Sequence, residues 1–343
     1  MRLPVAMKTS VRPSNKLGKQ THLHFSKDEI SGRGLDKFDH RQVWMKERLW
    51  METAGHKNRK FSRSGSLVSW AMKMFEWGLK ATGTFRIGFQ NASQIIFKEQ
   101  SVVIPSLPHS FNGFTVLFLS DLHLDMMPGL EQKIADLIRG REFDLCVMTG
   151  DYGPVSLGGE SESWNPLKKL TQAINSHHGI LGVLGNNDRA RDVFTLESMG
   201  MNVLLNENFL VEKNGSMLQF IGTDDFSFYT DQISRVLEKS EDYCTIALIH
   251  SPELYDNAAA AGVNLYLCGH THGGQICLPG GFPVLTNLKR GKKFHTGHWS
   301  YQGMPGITNI GAGTSVLPVR FNTVGELLSI TLSNSQRLEN LIS

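Results

Sequence analysis

From about residue 111 onward, short apolar runs alternate with segments whose apolar positions recur every three to four residues. Residues 114–119, 145–148, 180–184, 217–221, 244–249 and 263–267 have the length and composition of buried strands. Residues 130–138, 166–174 and 231–237 carry helical spacing, and 307–310 and 327–332 read as further strands on a second sheet. The alternation predicts a layered α/β fold with several strands ending directly in polar, glycine-containing turns. Ligands in such folds bind beyond the carboxyl ends of the strands.

The first hundred residues read differently. Over 1–65 no hydrophobic period is sustained, which predicts an extended arm with one short helix around 41–51. In 66–80, Leu67, Trp70, Ala71, Met74, Phe75 and Trp77 fall on one side of a helix, with Ser69, Lys73, Glu76 and Lys80 opposite. The expected organisation is therefore a basic, poorly ordered arm over 1–65, an amphipathic helix and linker over 66–105, and a catalytic domain over 106–343. The net charge of +3 conceals an asymmetry: residues 1–63 hold 15 Lys/Arg against 6 Asp/Glu, out of totals of 35 and 32. Four of the six tryptophans precede residue 80. A basic, Trp-bearing amphipathic segment suits an anionic membrane surface, whereas a solvated tail and a helix packed on the domain are the plainer readings. No run of apolar residues is long enough to span a bilayer and the start has no apolar signal core, so the expected location is cytoplasmic, either free or peripheral on the inner membrane.

Five strand ends deliver the chemistry: Ser120-Asp121-Leu122-His123, Gly150-Asp151, Gly185-Asn186-Asn187-Asp188, His250-Ser251-Pro252-Glu253 and Gly269-His270-Thr271-His272. Singly each is weak, because an Asp after a strand is commonly a turn or helix cap. Jointly they supply hard oxygens, imidazoles and a carboxylate able to bridge two cations, the donor set that phosphate hydrolysis by a divalent pair requires. Asp121 and His123 are two residues apart, as are His270 and His272, so each pair can face one side.

On these motifs the chain resembles the calcineurin-like metallophosphoesterases, whose signature runs D-x-H, G-D, G-N-[HDNR]-[DE], H and G-H-x-H. The resemblance implies a four-layer α/β/β/α sandwich with two divalent ions at the strand ends, usually manganese, with iron, zinc, cobalt or magnesium also used. It places Asp121, His123 and His272 on the first metal, Asn186, His250 and His270 on the second, and Asp151 between them. The extension Gly273-Gly274-Gln275 with Pro279, Gly297 and Pro318-Val319-Arg320-Phe321 is similar to a bacterial subfamily of membrane-associated phosphodiesterases, among which some relatives hydrolyse UDP-2,3-diacylglucosamine in lipid A synthesis.

The expected reaction is in-line attack of a metal-bridging hydroxide on a phosphodiester or pyrophosphate, with no covalent intermediate. Many family members carry His where Asn187 stands. An amide cannot deliver a proton, which favours leaving groups already stable as anions. Asp188 is expected either to hydrogen-bond Asn187 or a ligand, or to cap a helix. Arg320, Lys289 and Arg290 are the expected substrate-phosphate contacts, with a solvated charge run as the alternative for 289–293 and His295 and His298 as candidates for the pocket rim. A nuclease gripping polynucleotide through the arm is disfavoured by the net acidic body, and a metal-bearing scaffold without turnover by the complete ligand set.

Overall fold

A computed structural model describes residues 37–58, 60–153, 164–225, 236 and 243–334, with side chains throughout except at 37–39 and 54–69. The chain divides after residue 40, and apart from the first residues of its first helix everything described lies in the larger unit, Arg41–Ser343.

Two six-stranded sheets form the body. In the first the spatial order is β1 (Ile95–Val103), β14 (Gly325–Ser333), β2 (Thr115–Leu119), β3 (Leu145–Met148), β4 (Ile180–Gly182) and β5 (Met201–Val203). In the second it is β12 (Gly297–Tyr301), β13 (Met304–Thr308), β9 (Leu265–Cys268), β8 (Cys244–Leu248), β7 (Ser216–Gly222) and β6 (Glu207–Lys213). A separate hairpin pairs β10 (Cys277–Leu278) with β11 (Phe282–Pro283). Strands β2 to β5 run parallel, as do β7, β8, β9 and β13, so several carboxyl ends open on one edge of each sheet.

Alternation along β2 shows how the layers form. Val116 and Phe118 face the second sheet and pack with Val147, Leu181, Phe220, Ile246, Leu248 and Leu267. Leu117 and Leu119 face the other way, into a cluster with Leu130, Ile134 and Ile138 of α4 (Leu130–Ile138) and Leu167 and Leu170 of α5 (Asn165–Ala173). Behind the second sheet, Ile221, Ala247 and Tyr266 pack against Leu254 and Ala258, the latter on the short helix Tyr255–Ala260. The fold is thus mixed α/β, with two sheets flanked by helices. Among the described residues no helix is long and apolar enough to cross a membrane.

Three expectations change. Instead of a short helix around 41–51, α1 runs Lys37–Asn58, with Trp44 and Arg48 buried, because its polar side chains find buried partners that local periodicity does not reveal; residues 1–36 of the expected arm lie outside the described residues. Residues 95–103, read as linker, form β1 beside β14, so the sheet crosses the expected boundary at 105. Strand β14 itself sits within the first sheet, between β1 and β2, and is buried along nearly its whole length, with Leu328, Ile330 and Leu332 on one face and Leu327, Ser329 and Thr331 on the other. The expected helix over 231–237 lies outside the described residues apart from Val236.

The amphipathic segment is helical in α2 (Lys60–Ala81), which leads through Gly83 into α3 (Thr84–Ala92). Trp70, Met74, Phe75 and Trp77 are all exposed, so from residue 70 onward this apolar side is not covered by the domain.

Candidate metal centre

Each of the five strand ends arrives in one place because the turns are tied to one another. The Asp121 N–H donates to the Gly150 carbonyl (3.1 Å) and the His123 N–H to that of Asp151 (3.0 Å), linking the turns after β2 and β3. The His270 N–H donates to Asp121 Oδ2 (2.8 Å), bringing in the turn after β9. Close approach requires glycine at two points. A Cβ on Gly269 would lie 2.2 Å from Asp121 Oδ2, and one on Gly185 would lie 2.2 Å from Asp151 Oδ1. Asp121, His123, Asp151, His270 and His272 all have positive φ, a conformation costly for residues with a side chain and one that persists where surrounding contacts enforce it.

The side chains fall into two adjoining groups. Asp121, His123 and His272 bring ligand atoms together, as do Asp121, Asp151 and His250, within 4.8 Å of one another in each group. Asp151 Oδ2 lies 3.4 Å from His123 Nε2 and 3.6 Å from His250 Nε2, between the two sets, as a bridging carboxylate must. Asn186 Oδ1 and His270 Nδ1 each lie 3.1 Å from His250 Nε2, so all seven expected ligands are brought together.

The donor chemistry fits divalent cations. Asp121 Oδ1, both ring nitrogens of His123 and His272 Nδ1 are buried without a hydrogen-bond partner, an arrangement that costs free energy unless something else satisfies the lone pairs. His250 Nδ1 sits 2.7 Å from the Thr149 carbonyl; donating there leaves Nε2 as the ligand atom.

Electrostatics without a cation show how strongly the carboxylates act. Burial alone would raise Asp151, but His250 and His123 hold it well below the usual carboxylate range. Burial opposes charge on His250, yet Asp151, then Asp121 and Asp225, lift it to about 9. Burial takes His272 down to about 3, keeping it neutral as a ligand must be.

The other expected site residues act on the ligands or elsewhere. Asn187 donates from Nδ2 to Asp151 Oδ2 (2.7 Å) and from its N–H to Asp151 Oδ1 (2.9 Å), so its amide positions the Asp151 carboxylate. Asp188 caps no helix: its carboxylate accepts the N–H groups of Asp151 (2.7 Å), Tyr152 (3.1 Å) and Gly185 (2.7 Å), fastening two ligand turns together. Burial first, then the charge of Asp151, pushes Asp188 up to about 7.

Arg320 is not a substrate contact. It is fully buried, and its guanidinium donates to the carbonyls of His272 (3.0 Å), Ile310 (2.8 Å), Gly311 (3.0 Å) and Gly313 (2.7 Å). It braces the turn that carries His272. Arg290 pairs with Asp256, and the Lys289 and Arg290 N–H groups are fixed on Glu253. His298 contacts Gln100, and His295 the Lys292 carbonyl.

Sequence reasoning passed over the end of β7, where Thr223-Asp224-Asp225 follows an apolar strand as the recognised motifs do. Asp225 acts on His250 and His270 by its charge. Asp224 accepts from Trp44 Nε1 (2.9 Å) and from Arg48, both on α1.

Comparison with known proteins agrees with this geometry. Residues 114–274 match the family described as calcineurin-like phosphoesterase. The metallophosphoesterase YkuE of Bacillus subtilis is 28% identical over 246 residues, covering 69% of this chain and 85% of that protein. Phosphodiesterase YaeI of Escherichia coli is 27% identical over 176 residues, covering 48% of this chain and 63% of that protein. A zebrafish (Danio rerio) transmembrane protein with a metallophosphoesterase domain is 28% identical over 278 residues, covering 72% and 60% respectively. The matched family model, these relatives and the assembled ligand set support membership of the calcineurin-like metallophosphoesterases, and the chain is a metal-dependent phosphoesterase.

Proposed function

We propose that the enzyme hydrolyses a phosphodiester or pyrophosphate bond with two divalent cations, manganese foremost, and that its substrate is lipid-linked and met at an anionic membrane surface, as UDP-2,3-diacylglucosamine would be. The observation that carries the hydrolytic reading is the set of buried, unpartnered Asp and His atoms arranged around Asp151. When bound, the cations supply Lewis-acid polarisation of the phosphoryl group and lower the pKa of water. Asp121, His123 and His272 would hold one, and Asn186, His250 and His270 the other.

The remaining work falls to the chain. Asn187 and Asp188 fix Asp151 from its side chain and its backbone, so the bridge is positioned before substrate arrives. With its amide turned onto Asp151, Asn187 has no proton to give a leaving group, which supports substrates whose leaving group is a stable anion. Exposure of Trp70, Met74, Phe75 and Trp77 on α2 supports presentation at a membrane.

A substrate panel on metal-reconstituted full-length protein tests this, comparing UDP-2,3-diacylglucosamine in mixed micelles, a nitrophenyl diester, a nitrophenyl monoester and single-stranded DNA. The expected ranking puts the lipid-linked pyrophosphate first. Preference for the monoester or for DNA would overturn the substrate assignment, and absence of turnover on all four would overturn the hydrolytic one.

A further inference from the structure

The turn that carries His270 and His272 runs straight into the β10/β11 hairpin, whose large apolar side chains point into solvent. Leu278 is 58% exposed, and Phe282, Val284 and Leu285 are 69%, 62% and 68% exposed. Val316 joins them at 66%. These are not loose loops. Gln275 donates through Nε2 to the carbonyls of Ser315 (3.0 Å) and Leu317 (2.9 Å) and accepts the Ser315 N–H (2.8 Å), which clamps the Val316 turn to the root of the hairpin. The Val284 N–H donates to the Ile276 carbonyl (3.0 Å), and Asn322 Nδ2 to that of Cys277 (2.7 Å).

Val316 is held at φ 67°, which is a true outlier for a β-branched residue, and the strained turn holds an apolar side chain in water. Neither exposure nor strain helps a protein surrounded only by water. A clustered apolar patch on a rigid base marks a binding surface.

Charge identifies the occupant. Between Asp256 and Glu326 the chain carries no Asp or Glu at all, yet it holds Lys289, Arg290, Lys292 and Lys293 directly after the hairpin. Lys289, Lys292 and Lys293 are exposed. An apolar tip followed by exposed lysines is complementary to the acyl boundary and phosphate layer of an anionic bilayer.

We propose that the β10/β11 hairpin, with Val316 beside it, is a second membrane contact: Leu278, Phe282, Val284 and Leu285 enter the headgroup boundary while Lys289, Lys292 and Lys293 meet lipid phosphates. The proposal rests on the reading that the substrate is met at a membrane, and adds which edge of the catalytic domain faces it. The hairpin follows His272 within a few residues, so the metal centre would be held near the headgroup layer.

The test is partition of the full chain onto phosphatidylethanolamine vesicles with and without phosphatidylglycerol, at low and high salt. The triple variant Phe282→Ser, Val284→Ser, Leu285→Ser should bind anionic vesicles at least about tenfold more weakly while hydrolysing a soluble aryl diester at the wild-type rate. Lys292→Glu with Lys293→Glu should weaken binding at low salt, by about fivefold for each cation lost, with the difference closing at high salt. Because the four native cysteines are buried, Phe282→Cys accepts a single fluorophore, which shallow nitroxide lipids should quench. Wild-type partition by the triple variant, or an unquenched label on vesicle-bound protein, would overturn the proposal. Failure of the wild type to bind would also remove membrane presentation, whereas failure of the hydrolytic reading would show separately, as no aryl-diester turnover.

Discussion

Arg48, fully buried on α1, donates to the Asp224 carboxylate through one guanidinium nitrogen and to the Asp188 carbonyl (3.0 Å) through another, so the N-terminal helix is tied to two turns of the metal centre. Glu52 extends the tie by accepting from Arg48 Nε (3.0 Å) and from the Ala190 N–H (2.8 Å). Removing one partner of a buried pair leaves the other uncompensated, at about 3–5 kcal/mol. Arg48→Met should therefore lower stability by that order, read by denaturant unfolding.

The loss should also depend on pH. Burial raises Asp224 to about 6 even with Arg48 beside it. A folded pKa above the unfolded value means the native state binds the proton more tightly, so this site's contribution to stability falls as pH rises from about 4 to 6. Without Arg48 the pKa rises further and the window extends upward. The variant's deficit should be smaller at pH 5 than at pH 8, and an equal deficit at both would mean that Asp224 is not the group left behind.

Asn187→Ala removes the Nδ2 donor from Asp151 but keeps the backbone N–H that also holds it. Loss of such an outer hydrogen bond to a ligand costs about 10–100-fold in metal affinity. Titration with manganese followed by calorimetry should show that weakening, with the fold intact by circular dichroism. Across a series of aryl diesters the wild type should show a steep dependence of rate on leaving-group pKa, and Asn187→His, which restores a titratable group, should flatten it.

Asp188→Asn keeps the shape but offers an NH2 group where three backbone N–H donors converge. At least one donor is then left facing another donor in a buried site, at about 1–3 kcal/mol. The expected result is a lower melting temperature together with weaker metal binding, because the same bonds hold the turns of Asp151 and Asn186. Unchanged metal affinity would confine Asp188 to a purely structural role.

Local pattern made the strands legible wherever apolar residues ran unbroken into a polar turn, as at Leu145–Met148, where expected and observed bounds coincide. It made the candidate ligands legible for the same reason, since a strand end with Gly, Asp, His or Asn is a local signal. What it could not carry was anything decided by distant partners. Trp44 and Arg48 are buried because Asp224 lies across the fold, and β1 is a strand because β14 pairs with it. Arg320 illustrates the converse: a cation near a phosphate site reads as a substrate contact, but its two terminal nitrogens are held by four backbone carbonyls across the fold.

Metal binding should release a proton from His250. Without a cation, Asp151 holds His250 at about 9, so at neutral pH the ring is protonated, yet a ligand must offer a free lone pair. Affinity should therefore rise with pH up to about 9, by about tenfold per unit for one proton released. The stability of the metal-free protein moves the opposite way. A folded pKa raised above the unfolded value of about 6.5 contributes stability that is present below 6.5 and lost as pH climbs through 9. The melting-temperature increase on adding manganese should accordingly grow between pH 6.5 and 9, since ligand stabilisation tracks affinity while the metal-free baseline falls. Calorimetry in buffers of different ionisation enthalpy counts the proton directly. Asp151→Asn, which removes the charge that lifts His250, should abolish the release at pH 8; a release unchanged in that variant would assign the proton to another group.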